Sequence, residues 1–345
     1  MTFQDFQAGT ASELEGFDEI EKTCSIAAAV GLKYAWIDTC CINKIDSVEL
    51  AEAINSMYRW YEEATVCYAY LSDVMWDPAV PAKCVVMKNL RPSIFQKSAW
   101  FRRGWTLQEL IVPSVLIFLD TSWNEIGTKP SMCSLVSETT QIPEDILSGA
   151  DVASKSVAER MSWAAYRTMT KVEDKAYCLM GLFGVNMPLL YGEQDNAFFR
   201  LQEEILKLST DYSIFAGERY ASYRYKDGEG IRDTFLAASP TDFCYSRHVR
   251  PLPDRENRGV PVHIDSHGVH LEVDLATKDS LLHGATVRLA LLPCRIREGS
   301  DRGARVMIPL VQEAKDVFRL GHVGFEGHGK TRGQAHKSVC STFET

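Results

Sequence analysis

Apolar residues recur along the first half of the chain at the spacing of one helix face. Short runs that are apolar without a break interrupt them, and this pattern predicts helices packed on a mainly parallel sheet. Phe17, Ile20, Cys24, Ala27 and Ala28 fall on one stripe, and Gly31 stands where a helix would be capped, so a helix is expected over 17–30. Tyr34-Ala-Trp-Ile37 reads as a buried strand ending at Asp38. Asp46-Ser-Val-Glu49 has the form of a capping box, and Leu50, Ala53, Ile54, Met57, Tyr58 and Tyr61 continue it as a helical stripe. Val66–Leu71 and Val115–Leu119 are continuous apolar runs, as parallel strands covered on both faces require. Residues 76–93 hold three prolines and no period, and are expected to form a loop or insertion. Helices are expected over 157–170, 175–183 and 196–209, the last with Phe198, Leu201, Ile205 and Leu208 inward. Beyond residue 216 the period changes to two. Gly259–Ile264, Val269–Leu275, Ala285–Leu292 and Arg305–Leu310 predict a small antiparallel sandwich or barrel.

Composition narrows this picture. At 345 residues and 46% hydrophobic content the chain can build two or three structural units. Its apolar runs fall short of the ~20 residues of a membrane span, and Met1–Asp5 lacks the features of a signal peptide, so a cytoplasmic protein is expected. Ten cysteines in no tight spacing predict reduced thiols. Through Phe215 there are 18 Lys and Arg against 29 Asp and Glu; beyond it the counts are 19 and 17. The acidic portion argues against a nucleic-acid partner. Every Trp lies at or before Trp163 and every His at or after His248, which supports a boundary near 215 and removes histidine from chemistry in the first part.

The segment Ser98-Ala-Trp-Phe-Arg-Arg-Gly-Trp-Thr-Leu-Gln-Glu-Leu110 places two tryptophans, two arginines and one carboxylate in a loop and short helix ahead of a buried strand. That is a binding-site arrangement in an open α/β sheet. Asp38, at the carboxyl end of a predicted strand, is a second candidate, and is equally readable as a residue bonding to its own turn. Glu173 and Asp174 read as partners of Arg160 or Arg167 in a structural network. His263, His267 and His270 read as surface histidines of a hairpin, so no metal site is expected. Gly324–Thr331 satisfies the P-loop formula without the required strand and helix, and is read as coincidence.

Several ordered motifs carry a resemblance. Trp36-Ile-Asp-Thr-Cys-Cys-Ile-Asn43, the helix holding Ala53, Ile54 and Met57, Tyr70-Leu-Ser-Asp73, and Trp100–Leu110 resemble the fungal heterokaryon-incompatibility (HET) domain. Arg160–Ala164, Arg167-Thr168, Glu173-Asp174, Ala176–Gly181 and Met187–Glu193 resemble the block that follows it, so the likeness covers residues 3–215. It implies non-self recognition between hyphae and regulated cell death, carried out with protein partners: self-association or other HET and NOD-like signalling proteins. The implied fold is similar to that of Toll/interleukin-1 receptor (TIR) domains, a flavodoxin-like parallel sheet with flanking helices. The expected organisation is a HET domain over 1–140, a helical extension over 141–215, a small antiparallel β module over 216–325, and a disordered tail over 326–345. Leu236-Ala-Ala-Ser-Pro240 with Phe243 is similar to the start of a module found after HET domains.

In TIR domains that cleave NAD, the essential glutamate lies in a Trp-Cys-x-x-Glu-Leu pattern. Trp105-Thr-Leu-Gln-Glu109-Leu110 matches it in spacing, with Thr106 in place of Cys. The resemblance therefore implies Glu109 as a catalytic carboxylate, with NAD as substrate and no cofactor required. Nicotinamide leaves NAD as a neutral molecule from a cationic bond, so a single carboxylate that stabilises developing positive charge suffices. Asp38, Arg102, Arg103 and Trp105 are the accompanying binding candidates. The arginines suit a pyrophosphate and Trp105 suits stacking on a ring. The same residues also read as a solvated or capping glutamate and core tryptophans.

Two departures accompany the likeness. Related sequences carry a strand and a Leu-Ser-x-x-Trp-type motif ahead of the Thr2–Asp5 segment, so a truncated or degenerate copy with open central sheet edges is expected. Related sequences also carry glycine where Gln194 follows Tyr191-Gly-Glu193. Three readings stay open at this point: an association module, an NAD glycohydrolase and an inert relative.

Overall fold

The computed structural model describes residues 2–75, 92–217, 235–253, 262–265, 268–276, 280–282, 285–296, 304–314, 317–320 and 336–341. The chain divides into two units, residues 1–150 with 186–189, and residues 151–185 with 190–345.

The first unit is mixed α/β. Its helices are α1 (Phe3–Gln7), α2 (Phe17–Ala29), α3 (Asp38–Cys41), α4 (Ser47–Glu63), α5 (Pro92–Lys97), α6 (Thr106–Ile111), α7 (Cys133–Thr140) and α8 (Glu144–Leu147). Its strands are β1 (Cys67–Tyr70), β2 (Leu116–Leu119) and β3 (Glu125–Thr128). The sheet order is β1-β2-β3, with β1 parallel to β2 and β3 antiparallel to it. The apolar runs become strands because their neighbours cover them: Ala69, Leu71, Leu116 and Phe118 are all buried. Phe118 sits in an aromatic cluster, with ring centroids 5.3 Å from Phe95 and 5.9 Å from Trp100. Trp100 is thus a core anchor.

Four expectations for this unit are corrected. Tyr34–Ile37 belongs to no ladder, and Tyr34 is 89% exposed, because among the described residues no strand stands beside it. The inward face of α2 centres on Ile20 and Ala27 rather than on Cys24 and Ala28, which are exposed. The capping box of α4 is half formed. Asp46 accepts from the N–H groups of Val48 (2.9 Å) and Glu49 (3.2 Å), whereas Glu49 reaches beyond the cap to the N–H of Asn43. Pro92 and Ser93 start helix α5 rather than ending a loop, and residues 76–91 lie outside the described residues.

The second unit holds α9 (Val157–Ser162), α10 (Asp174–Tyr177), α11 (Met180–Phe183) and α12 (Asn196–Leu208), followed by strands β4 (Val249–Pro251), β5 (His263–Asp265), β6 (Gly268–Leu275), β7 (Ser280–Leu282), β8 (Ala285–Ile296), β9 (Ala304–Ala314), β10 (Val317–Leu320) and β11 (His336–Ser341). Strands β8, β9, β10, β11 and β6 pair in a closed ring, and only the β10–β11 pair is parallel. The helix expected over 157–170 stops at Ser162. The carbonyl of Ala165, three residues on, accepts from Thr241 (3.1 Å), a contact that continued helix would not offer. On α12, Phe198, Leu201 and Ile205 are buried, but Leu208, its last residue, is 68% exposed. Residues 336–341, within the stretch expected to be a disordered tail, form β11 and pair with β6. His263 and His270 are register partners; His267 and the 324–331 segment lie outside the described residues.

Candidate functional site

The loop that carries the candidate glutamate is locked from three directions. Asp73, just after β1, accepts from the Ser98 hydroxyl (2.6 Å) and the Ala99 N–H (2.7 Å). The Thr106 hydroxyl lies 2.5 Å from the Trp100 carbonyl and 2.9 Å from that of Arg103, closing the loop onto the start of α6. At the far end, buried Lys129 donates to the carbonyl of Ile111 (3.0 Å), an acceptor the helix terminus leaves open, and to that of Pro113 (2.6 Å) just beyond the helix. Five of the six residues of α6 are buried, and Glu109 is the half-buried exception.

Glu109 borders a cavity of about 660 Å³ within the first unit. One side is formed by α2 through Ile20, Thr23 and Ala27, and another by Tyr34–Thr39. The end of α4 contributes Trp60 and Tyr61, and the run into β1 contributes Val66, Cys67 and Tyr68. Trp36 packs edge-on against Trp60 (5.3 Å) and Tyr61 (5.8 Å), and Tyr70 stacks on Trp123 at 4.4 Å. Carboxylates at the cavity are Glu19, Asp38, Glu63 and Glu109, and no Lys, Arg or His is among its described lining residues.

The anions act on their neighbours. Burial pushes the Tyr61 phenol well above its usual value, and the charges of Glu109 and Asp38 and a hydrogen bond to the Glu109 carboxylate push it further. Tyr61 is therefore a neutral donor to Glu109 at neutral pH. The Cys67 thiol is raised by burial and by the Glu109 charge, so it is no nucleophile at neutral pH. Asp38 Oδ2 lies 3.8 Å from Lys44 Nζ, with both side chains about half exposed.

Of the sequence candidates, the structure thus brings Glu109 and Asp38 to one cavity. Arg102 and Arg103 are exposed, Trp105 is the half-buried N-cap of α6, and none of the three is among the cavity residues. Tyr61, Cys67, Trp36 and Trp60 were not legible as site residues, since in sequence Tyr61 read as a helix-stripe position, Cys67 and Trp36 as strand positions, and Trp60 carried no signal. Among the described residues no group of three or more His, Cys, Asp and Glu is placed to hold a metal, and no helix is long and apolar enough to cross a membrane.

In the second unit the Glu173 carboxylate accepts from the N–H groups of Gly192 (2.7 Å) and Gln194 (3.1 Å), and Asp174 accepts from the Tyr191 hydroxyl (3.0 Å). These are structural roles. They fix the turn at 191–194.

Residues 10–93 match the heterokaryon incompatibility protein (HET) family. Over 208 residues the chain is 41% identical to the vegetative incompatibility protein HET-E-1 of Podospora anserina. That alignment covers 60% of this chain and 15% of the relative, so the chain spans a small part of the longer protein. No solved structure matches.

Proposed function

We propose that this chain acts in fungal heterokaryon incompatibility, as a cytoplasmic module that converts non-self recognition into regulated cell death by associating with other HET or NOD-like signalling proteins. The observation that carries this reading is the 41% identity over 208 residues to a vegetative incompatibility protein. A TIR-like fold is part of the proposal. In the doubly wound order 2-1-3-4-5 the third and fourth strands are parallel neighbours, as β1 and β2 are. Tyr34–Ile37 then occupies the place in the chain of the second strand.

The test is induced expression in hyphae of a filamentous fungus, scored by uptake of a vital dye. Death that persists in Glu109→Gln supports association. An unaffected culture containing well-folded chain rejects the signalling role.

The cavity supports a second reading, cleavage of NAD with Glu109 as the catalytic carboxylate. Glu109 stands half-buried beside aromatic rings that could hold a nicotinamide, and its charge suits a developing cation. The absence of basic residues among the described lining leaves the pyrophosphate to be held outside it. NAD consumption by purified chain that vanishes in Glu109→Gln, with unchanged circular dichroism, is the expected result of this reading. Equal consumption by both proteins removes it.

A further inference from the structure

Three arginines stand in one row across neighbouring strands of the second unit. The antiparallel register sets Arg250 of β4 opposite Arg295 of β8, and Arg295 opposite Arg305 of β9. Register partners project from the same face of a sheet, about 5 Å apart. Their neighbours in the chain, Val249, Cys294 and Val306, project to the other face and are buried there, so the arginines occupy the outer one, each half-buried. Like charges directly opposite each other destabilise a strand pair, and this row holds two such pairs in succession. An anion laid along the row removes that repulsion.

The two flanking guanidinium groups are held by fixed acceptors. Arg305 donates from Nε to the Leu292 carbonyl (3.0 Å) and from Nη2 to that of Leu291 (3.4 Å), where the register between β8 and β9 shifts. Arg250 Nη1 donates to the carbonyls of Arg247 (2.9 Å) and Val249 (3.1 Å) and lies 2.7 Å from a carboxylate oxygen of Glu159 on α9. Carbonyls orient a cation without cancelling its charge, so two long side chains are ordered by the fold before a ligand arrives. The spacing selects that ligand. A single phosphate cannot span three guanidinium groups spread over about 10 Å, and an extended peptide repeats its same-face side chains at about 7 Å, out of step with the row. Several phosphates carried close together on one small molecule can each take a guanidinium fork on two oxygens.

We infer that the row Arg250, Arg295 and Arg305 binds a compact molecule bearing several phosphate groups, free or as a lipid headgroup. Such binding is independent of the signalling role proposed above, because it is measured on the purified chain.

The test titrates the whole chain with inositol hexakisphosphate in a calorimeter at fixed ionic strength, beside inorganic phosphate and a single-stranded oligonucleotide. The hexakisphosphate should bind at least about tenfold more tightly than inorganic phosphate and raise the melting temperature. Arg295→Gln should weaken it by about tenfold and Arg295→Lys by less, since lysine keeps the charge but not the fork. Arg295→Gln should also raise the melting temperature of the ligand-free chain, because it removes both like-charge pairs. A lower melting temperature, or failure to fold, marks a structural arginine and overturns the proposal. Vesicles carrying phosphatidylinositol trisphosphate identify the source: tighter binding to them than to the soluble hexakisphosphate supports a headgroup, and the reverse supports a free ligand. No binding of hexakisphosphate by folded chain overturns the proposal, as does binding that Arg295→Gln leaves intact. Equal affinity for the oligonucleotide marks an unselective polyanion surface and overturns it too.

Discussion

Gln194 adopts left-handed backbone (φ 56°) at the position where the HET likeness leads one to expect glycine. Such a conformation costs a side-chain-bearing residue about 1–2 kcal/mol, and the greater freedom of glycine in the unfolded chain returns part of that. Gln194→Gly should therefore raise stability by roughly 0.5–1 kcal/mol in urea unfolding, its N–H still bound to Glu173. Lys129 shows the opposite sign. Burial lowers its pKa, so its charge is held at a cost, yet it supplies donors to two carbonyls at the end of α6. Lys129→Met fills the same space without a donor. It should cost about 1–3 kcal/mol, measured by the same unfolding. The pairing of Lys129 with α6 was not legible, because nothing local links residue 129 to the carbonyls of 111 and 113. Glu109 was nominated only by the resemblance of Trp105–Leu110 to the TIR pattern, and the structure adds that it borders the cavity.

Helix α4 links local capping to the cavity, since its last turns carry Trp60 and Tyr61. Asp46→Ala should destabilise the first unit by about 0.5–2 kcal/mol, and reduced amide protection should concentrate in the first turn of α4. At this scale the strands at 67–70 and 116–119 could be read from their apolar runs because both find partners. Tyr34–Ile37 is also apolar and finds none among the described residues. A strand is a property of two segments, so composition could nominate this one but could not pair it. The short helix α9 makes the same point: periodicity continued to 170, and the chain turns at 163 where the second unit supplies other contacts.

Over the whole molecule, acid stability should depend on the turn at 191–194. Glu173 has a pKa held below its ordinary value, chiefly by a hydrogen bond from its own N–H and also by those of Gly192 and Gln194, against an opposing effect of burial. A carboxylate depressed on folding stabilises fully above its unfolded value of 4.5, and that contribution fades as pH falls through the native value. Glu173→Gln should thus lower the melting temperature at neutral pH and flatten its decline below pH 4.5, as calorimetry across pH would reveal. The segregation of charge, Trp and His along the chain marked a compositional change near 215, whereas the two units meet in sequence near 150, with 186–189 returning to the first.

By itself the sequence determined the types of the long elements, the acidic character of the first 215 residues, and the motif that carries Glu109. These depend on residues close in the chain, where periodicity and capping act. Only the tertiary structure decided that Glu109 and Asp38 share a cavity while Arg102, Arg103 and Trp105 stand outside its lining, and that residues 336–341 pair with β6. The physical reason is that a cavity and a strand pairing are set by segments far apart in sequence, whose meeting is decided by packing and by the direction each side chain takes when its element is buried.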